Sequence, residues 1–478
     1  MLLVTRGACH TTVILCGPKD SPNAGEYPLL TQVKKSIRSH LRHLPGEGRV
    51  VVDAYRHFML LKRLARSKML ALRGEGSPDP ETVYWIDPAR IVWHTNYLRW
   101  GTSIPPEDRG FDPQRNRGRV YGGDWDIPEV RFDDLDIVRA IYDRVHSGAA
   151  WYDSRFHSSM LARLRQSGRA PSGIGSAQDL EDCYRYLDAV IASIREHGYR
   201  LSHEVELPGE NKGLDGHHRF GAEISVNIDR HGRYLFQNGR HRLAIARALG
   251  VARVPVKVLV RHRKWVEFRE FVRSLAERGG GSSRAHELYQ NPVHPDLQDI
   301  PSTHACEDRF TAMHEALLPD TGALLDVGAN LAYFCHRFES LGYECYAVER
   351  FPWIALAADR IRIAEGRHFT VISEDLFSAV MKPPLVDRRF RVVLALNIFH
   401  HSLKRQELFE KFKEWLPRLD VDTMFFEPHC PEERQMVGAH VNFGPEEFVG
   451  FILKHSCLRE AQLIARCADG RLLYRLTR

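Results

Sequence analysis

Two short strings concentrate the residue types that bind and transform small molecules. In the first, Asp326-Val327-Gly328-Ala329-Asn330-Leu331-Ala332 closes an apolar run that begins at Ala323. A glycine directly after a strand lets the backbone pass close to a ligand, because no Cβ intervenes. A second acid, Glu349, ends the next apolar run, 23 positions after Asp326. An acid at the end of a second strand is placed to accept hydrogen bonds from ribose hydroxyls. Farther on, His400, His401, Glu427 and His429 follow two more apolar runs. A histidine is the natural base near neutral pH. The second string is Gly239-Arg240-His241-Arg242. A glycine turn opening a helix offers backbone N–H groups and the helix dipole, and two guanidiniums beside them complete an anion site.

The elements that must position the first string alternate. Runs 323–327, 344–348, 369–372, 391–396 and 423–426 read as strands, with helices at 332–341, 353–363 and 405–415. Segments 461–466 and 471–476 read as a closing hairpin around Asp469-Gly470. Alternation of this kind predicts an open, mostly parallel sheet with helices on both faces. Ligands of such sheets bind at the carboxyl ends of the strands, near the topological switch. The second string lies in a compact unit, 222–262. There a strand at 223–228, a turn at 229–232 and a short strand at 234–236 precede a helix from 240 to 249, stopped by Gly250. A third strand, 254–260, carries Pro255 near its start, where a missing donor is tolerable. Upstream, 84–88 and 91–93 read as strand pieces, and 135–146, 155–166 and 177–197 as helices. The last spaces Leu180, Tyr184, Leu187, Val190, Ile191 and Ile194 near a 3.6 period.

Gly279-Gly280-Gly281-Ser282-Ser283 is the clearest linker, followed by Pro292, Pro295 and Pro301. The division expected is therefore 1–80, a region with a basic helix near 54–73; 81–266, an α+β domain; 267–300, a linker; and 301–478, an α/β domain. The chain has 478 residues, 43% hydrophobic and 27% charged, with a net charge of +6. That is ordinary for a globular protein and only mildly attractive to phosphate. Nine cysteines show no C-x-x-C pair, which fits reduced thiols and argues against a zinc site. No metal is expected. No run approaches the eighteen apolar residues of a membrane helix, and the run 13–16 is too short for a signal-peptide core. A cytoplasmic protein is expected.

The 301–478 region resembles the class I S-adenosylmethionine (SAM)-dependent methyltransferases, which have a Rossmann-like seven-stranded fold. Their first motif is acid-x-Gly-x-x-x-Gly and their second an acid ending strand two. The resemblance implies that Asp326, Gly328, Ala329 and Asn330 line the methionine side of SAM and that Glu349 holds its ribose. It places Glu374 and Asp375 where the family contacts adenine, and Asn397 beside the methyl donor. The later glycine of the first motif is Ala332 here, a departure that bears on SAM binding. A dinucleotide-binding domain would want G-x-G-x-x-G, which Asn330 breaks. Methyl transfer also needs a proton acceptor for a neutral alcohol or an ammonium. His400 or His401 is the first choice and Glu427 the second. Phe399, Phe425 and Phe426 read as core.

The 222–262 unit resembles the ParB/sulfiredoxin-like superfamily, whose mark is Gly-x-His-Arg, then an Ala-rich helix and a Val-Pro-Val strand, here Val254-Pro255-Val256. The resemblance implies nucleotide or phosphate binding by Gly239, His241 and Arg242, with Arg240 at the variable position. Arg240 stands where sulfiredoxins carry their catalytic cysteine, so no reductase activity is implied. Three readings follow. One is an enzyme methylating a small-molecule, glycan or nucleotide-linked acceptor. The second is a ParB-like DNA- or nucleotide-binding protein whose methyltransferase domain is secondary. Against it, the base-methylation motif Asn/Asp-Pro-Pro-Tyr is absent, with only Glu427-Pro428-His429 near it. The third is a scaffold that has lost its cofactor.

Overall fold

The computed structural model describes residues 2–7 and 10–15. From 78 onward it describes all residues except 96–112, 114, 115, 129, 169, 171–173, 202, 203, 206–222, 279–285 and 305. The chain divides into two compact units, 1–69 and 70–478. In the first, Leu2–Gly7 (β1) and His10–Leu15 (β2) pair as an antiparallel hairpin. The basic helix expected at 54–73 and the Gly-Ser linker lie outside the described residues.

The second unit is α/β. Its amino-terminal part holds strands Val83–Ile86 (β3), Trp93–His94 (β4) and Val120–Tyr121 (β5). Helices Asp136–Ser147 (α1), Arg155–Ser167 (α2) and Ala177–His197 (α3) follow. Gly148 and Gly168 stop the first two in the left-handed region, with φ of 69° and 66°, where the absent Cβ removes the steric cost. Strands Ile224–Ile228 (β6) and Tyr234–Asn238 (β7), helix Arg240–Ala248 (α4), strand Val254–His262 (β8) and helix Arg263–Glu277 (α5) complete this part. The sheet order is β3-β8-β6-β7-β4, with β5 beside the end of β8. The alternation seen in 223–228 predicts a half-buried strand, yet β6 is buried on both faces. It runs parallel to β8 and antiparallel to β7, so it lies inside the sheet.

Strands Leu288–Gln290 (β9) and Ser302–His304 (β10) form a small parallel pair. Helix Glu307–Glu315 (α6) leads into the large sheet. Its parts are Ala323–Val327 (β11), Tyr333–Glu339 (α7), Glu344–Val348 (β12), Pro352–Ala364 (α8), Thr370–Ile372 (β13), Leu376–Ala379 (α9) and Phe390–Leu396 (β14). Then come His400–Leu403 (α10), Gln406–Trp415 (α11), Val421–Glu427 (β15), Pro445–His455 (α12), Glu460–Arg466 (β16) and Leu472–Thr477 (β17). The order is β13-β12-β11-β14-β15-β17-β16, all parallel except β17. The chain steps outward from β11 in one direction and then returns to lay β14 on its other side. The switch between β11 and β14 opens a crevice at their carboxyl ends.

One apolar core joins residues from both sides of the Pro-rich segment. Trp265, Phe268 and Leu297 share it with Leu331, Ile354, Ala357, Ile361 and Ala364. Among the described residues, no helix is long and apolar enough to cross a membrane.

Candidate functional site

The crevice above β11 and β14 is a cavity lined by Tyr289, Gln290, Arg309, Asp326, Gly328 and Glu427, among others. Gly328 turns the chain off β11 with φ 70°. A Cβ on it would sit 2.5 Å from Ile398 Cδ1, so a larger residue would have to displace the Ile398 side chain and strain the turn. The next turn holds two non-glycine residues in the left-handed region, Asn330 at φ 51° and Ala332 at φ 60°. Ala332 therefore keeps the backbone that a glycine would adopt there, at a steric cost of roughly 1–2 kcal/mol.

Glu349 braces this turn. One carboxylate oxygen accepts the Asn330 N–H at 3.1 Å and the other the Phe351 N–H at 2.9 Å. It is 6% exposed, and burial raises its pKa. Asp326 is buried too, beside the Cys335 thiol at 3.7 Å. Burial, with the Glu349 charge adding to it, pushes the Asp326 carboxyl up to about 7. Both acids would gain from a cation between them. Asn397, at φ 49°, donates its amide to the Tyr289 hydroxyl at 3.2 Å. Its Oδ1 is buried without a hydrogen-bond partner. Asp326, Gly328, Ala329, Asn330, Glu349 and Asn397 thus all lie at the carboxyl ends of three neighbouring strands.

Glu374 and Asp375 follow β13 and have other partners in this structure. Glu374 pairs with Lys382 at 2.6 Å, and Asp375 caps α9, accepting the Ser378 N–H at 3.2 Å and its hydroxyl at 2.6 Å. Glu427 is buried in a fork with Arg309, whose Nε lies 2.6 Å and Nη2 3.3 Å away. Arg309 also reaches Asp469 at 2.6 Å. A carboxylate so occupied is poorly placed to take a proton from a substrate. His400 is 3% exposed, and burial, with His401 and Lys404 nearby, lowers its pKa to about 2. His401 falls to about 4, through burial and the charges of Lys404 and Arg350. Both imidazoles are neutral at pH 7.

Tyr289, Gln290, His304 and Arg309 were not foreseen as part of the site. They come from β9, β10 and α6. The Tyr289 and His304 rings meet edge to face at 4.6 Å, and Gln290 Oε1 accepts the Tyr333 N–H at 3.3 Å. The only hint in the sequence is polar and aromatic residues within a short Pro-rich stretch.

In the amino-terminal part, Gly239 starts α4 at φ 90°. A Cβ there would approach Ile224 Cα to 3.1 Å. The four residues of the string do not converge on one point. Arg240 and His241 line a cleft with Asp136, Phe156, Met160 and Arg163, whereas Arg242 lies 3.7 Å from the buried Glu223 carboxylate.

No family model matches this sequence, and no curated protein matches it. Solved structures align with part of it. The bifunctional kinase-methyltransferase WbdD aligns over 44% of this chain and 46% of its own, at 16% identity and a TM-score of 0.35. The chain thus spans less than half the length of that protein. A SAM-dependent methyltransferase from Aquifex aeolicus aligns over 35% of this chain and 87% of its own, at 18% identity and a TM-score of 0.26. One from Archaeoglobus fulgidus aligns over 37% and 95%, at 14% identity and a TM-score of 0.29.

Proposed function

We propose that residues 301–478 transfer a methyl group from SAM to a small-molecule, glycan or nucleotide-linked acceptor, and that the Gly239–Arg242 region binds phosphate or a nucleotide. One observation supports the first part above all. Two buried acids and an unpartnered amide oxygen surround a glycine turn at the switch point of a seven-stranded sheet. The residues fit the cofactor. A Cβ on Gly328 would press on the Ile398 side chain, and Asn397 Oδ1 lacks a donor. Burial raises Asp326 to about 7, so an arriving cation would stabilise its ionised form.

Bound SAM would supply a methyl group on a positively charged sulfur. Asp326 and Asn397 Oδ1 would accept hydrogen bonds from its ammonium. Glu349 would hold the ribose hydroxyls while still bracing the turn. Glu374 and Asp375 would border the adenine. Tyr289, from β9, covers the crevice and limits water. Proton removal falls to His400 or His401, because the Arg309 fork occupies Glu427.

Calorimetric titration of SAM and S-adenosylhomocysteine into the full chain tests this reading. Micromolar binding is expected, lost in Asp326→Ala and in Glu349→Ala. If the wild-type protein binds neither ligand, the reading fails.

A further inference from the structure

Beside the methyl-donor crevice, at the ends of β14 and β15, lies a cluster that donor binding leaves unused. The His400 and His401 ring centroids are 4.1 Å apart, and those of His400 and His429 are 5.7 Å apart. The tautomers of His400 and His429 follow from their neighbours. The Gln435 amide nitrogen donates to Glu433, so its oxygen faces His400 Nε2 at 3.1 Å. The Asn442 amide nitrogen donates to Pro431 O at 2.9 Å, so its oxygen faces His429 Nε2, also at 2.9 Å. Each Nε2 must therefore carry the proton. Each Nδ1 is left as a bare lone pair. Both Nδ1 atoms are buried and have no hydrogen-bond partner, in residues only 3% and 1% exposed. Two buried acceptors without donors are costly, and they mark where a donor belongs.

Cations stand next to them. Lys404 Nζ reaches Gln435 Oε1 at 3.1 Å and His401 Nδ1 at 3.4 Å. Arg350, just past β12, lies over the Phe351 ring. Among the described residues, neither cation forms an ion pair with a carboxylate. Glu433, the acid that acts on Lys404, is paired with Arg471 at 2.8 Å.

We propose that this cluster is the methyl-acceptor site and that it takes an anionic hydroxyl compound, a phosphate ester or a carboxylate. Arg350 and Lys404 hold the anionic group, His400 Nδ1 accepts the hydroxyl that is methylated, and His429 Nδ1 accepts a second hydroxyl of the same compound. The proposal rests on the methyl-transfer reading above and names its substrate class. The charges are complementary, with acids around the cationic donor and cations around the anionic acceptor. Burial is the main cause that depresses His400, with the charges of His401 and Lys404 adding to it; a bound anion offsets the Lys404 part and raises the imidazole by that part alone. The O–C bond then forms as the S–C bond breaks, and the hydroxyl proton passes to His400 Nδ1.

The test is calorimetry on the full chain, with and without saturating S-adenosylhomocysteine. The probes are glycerol 3-phosphate, methyl phosphate, glycerate and glycerol. Glycerol 3-phosphate or glycerate is expected to bind, the pair separating phosphate from carboxylate, and glycerol is not. Lys404→Met and Arg350→Met should each weaken that binding at least tenfold, and Lys404→Met should leave S-adenosylhomocysteine affinity within threefold. His429→Phe should weaken glycerol 3-phosphate more than methyl phosphate, which has no alcohol to donate. If S-adenosylhomocysteine binds but no anion does, or if both cation variants bind anions like the wild type, the acceptor assignment is overturned and the methyl-transfer reading survives. If S-adenosylhomocysteine does not bind, both fall.

Discussion

Asp326 carries opposing demands at a single residue. Its carboxyl has an ordinary pKa of 3.8 and one of about 7 in the fold. A raised carboxyl stabilises the folded state fully below the unfolded pKa, and that contribution is lost as pH rises through the folded one. Without a cation nearby, the protein is therefore least well served by Asp326 above pH 7. Asp326→Asn should raise the melting temperature at pH 8, by an amount equivalent to at most about 4 kcal/mol, while abolishing SAM binding. A melting temperature that does not rise at pH 8 would refute the assigned burial cost. In the wild type, SAM affinity should fall about tenfold per pH unit below 7, because the ligand's ammonium needs the ionised form. Calorimetry in buffers of different ionisation enthalpy would register the released proton. Ala332 is the second residue of interest. Its φ of 60° lies in the left-handed region that a glycine adopts without strain. Ala332→Gly should change stability by less than about 1 kcal/mol, since relieved strain and added chain entropy oppose each other. It should leave the SAM dissociation constant within threefold; a tenfold gain would mean that the methyl group crowds the pocket. Asp326 and Glu349 were legible in the sequence because each sits at a fixed offset from a strand. The engagement of Glu427 was not, because its partner Arg309 is 118 positions away.

The elements of the large sheet were equally legible, and for a physical reason. Each of β11, β12, β14 and β15 is a mostly apolar run with its charged residues near its ends, and such a strand must be covered on both faces. The helices between them return the chain so that each strand pairs parallel to its neighbour. The cover of the crevice was not legible. β9 and β10 have three residues each, too few for a period to show, and prolines around them suggest a linker. Residues 263–277, part of which fell within the expected linker, form helix α5 and bury Trp265, Phe268 and Val272. The element that ties cover to sheet is α6. From it, Arg309 reaches Glu427 on β15 and Asp469 in the turn between β16 and β17. Arg309→Met should cost up to about 3–5 kcal/mol, because it leaves the buried Glu427 carboxylate with only Arg471, 3.9 Å away, as a counter-charge. Arg309→Met with Glu427→Gln should recover much of that loss, since no charge is then stranded. Urea unfolding of the two variants decides it; equal losses would mean that the fork contributes packing and not charge.

At the scale of the second unit, the two sheets are fastened through the turn between β6 and β7. Asp229 accepts the N–H groups of His231 and Arg233, each at 2.8 Å, which sets the turn. Gly232 then stands at φ 91°. A Cβ there would come 2.3 Å from the Trp265 ring and 2.7 Å from Ala364 Cβ, at the end of α8. Arg90 reaches Glu365, just beyond that helix, at 2.6 Å. His294, fully buried, faces Gly232 O at 2.9 Å and the Trp265 ring. α8 begins directly after the Phe351 N–H that holds Glu349, so a displaced α8 reaches the donor site. Gly232→Ala is the discriminating substitution, and Gly250→Ala is its control. Gly250 also has a positive φ, 67°, but nothing lies within 4 Å of its missing Cβ. The control should lose only the conformational penalty, roughly 1–2 kcal/mol. Gly232→Ala adds the overpacking of Trp265 and Ala364, about 1–3 kcal/mol more, and should also weaken SAM binding, which the control should not. If Gly232→Ala destabilises the protein yet binds SAM as tightly as the control, the two sheets share a core without sharing a site. A parallel loss of stability and of SAM affinity means that the amino-terminal sheet positions the donor crevice through α8.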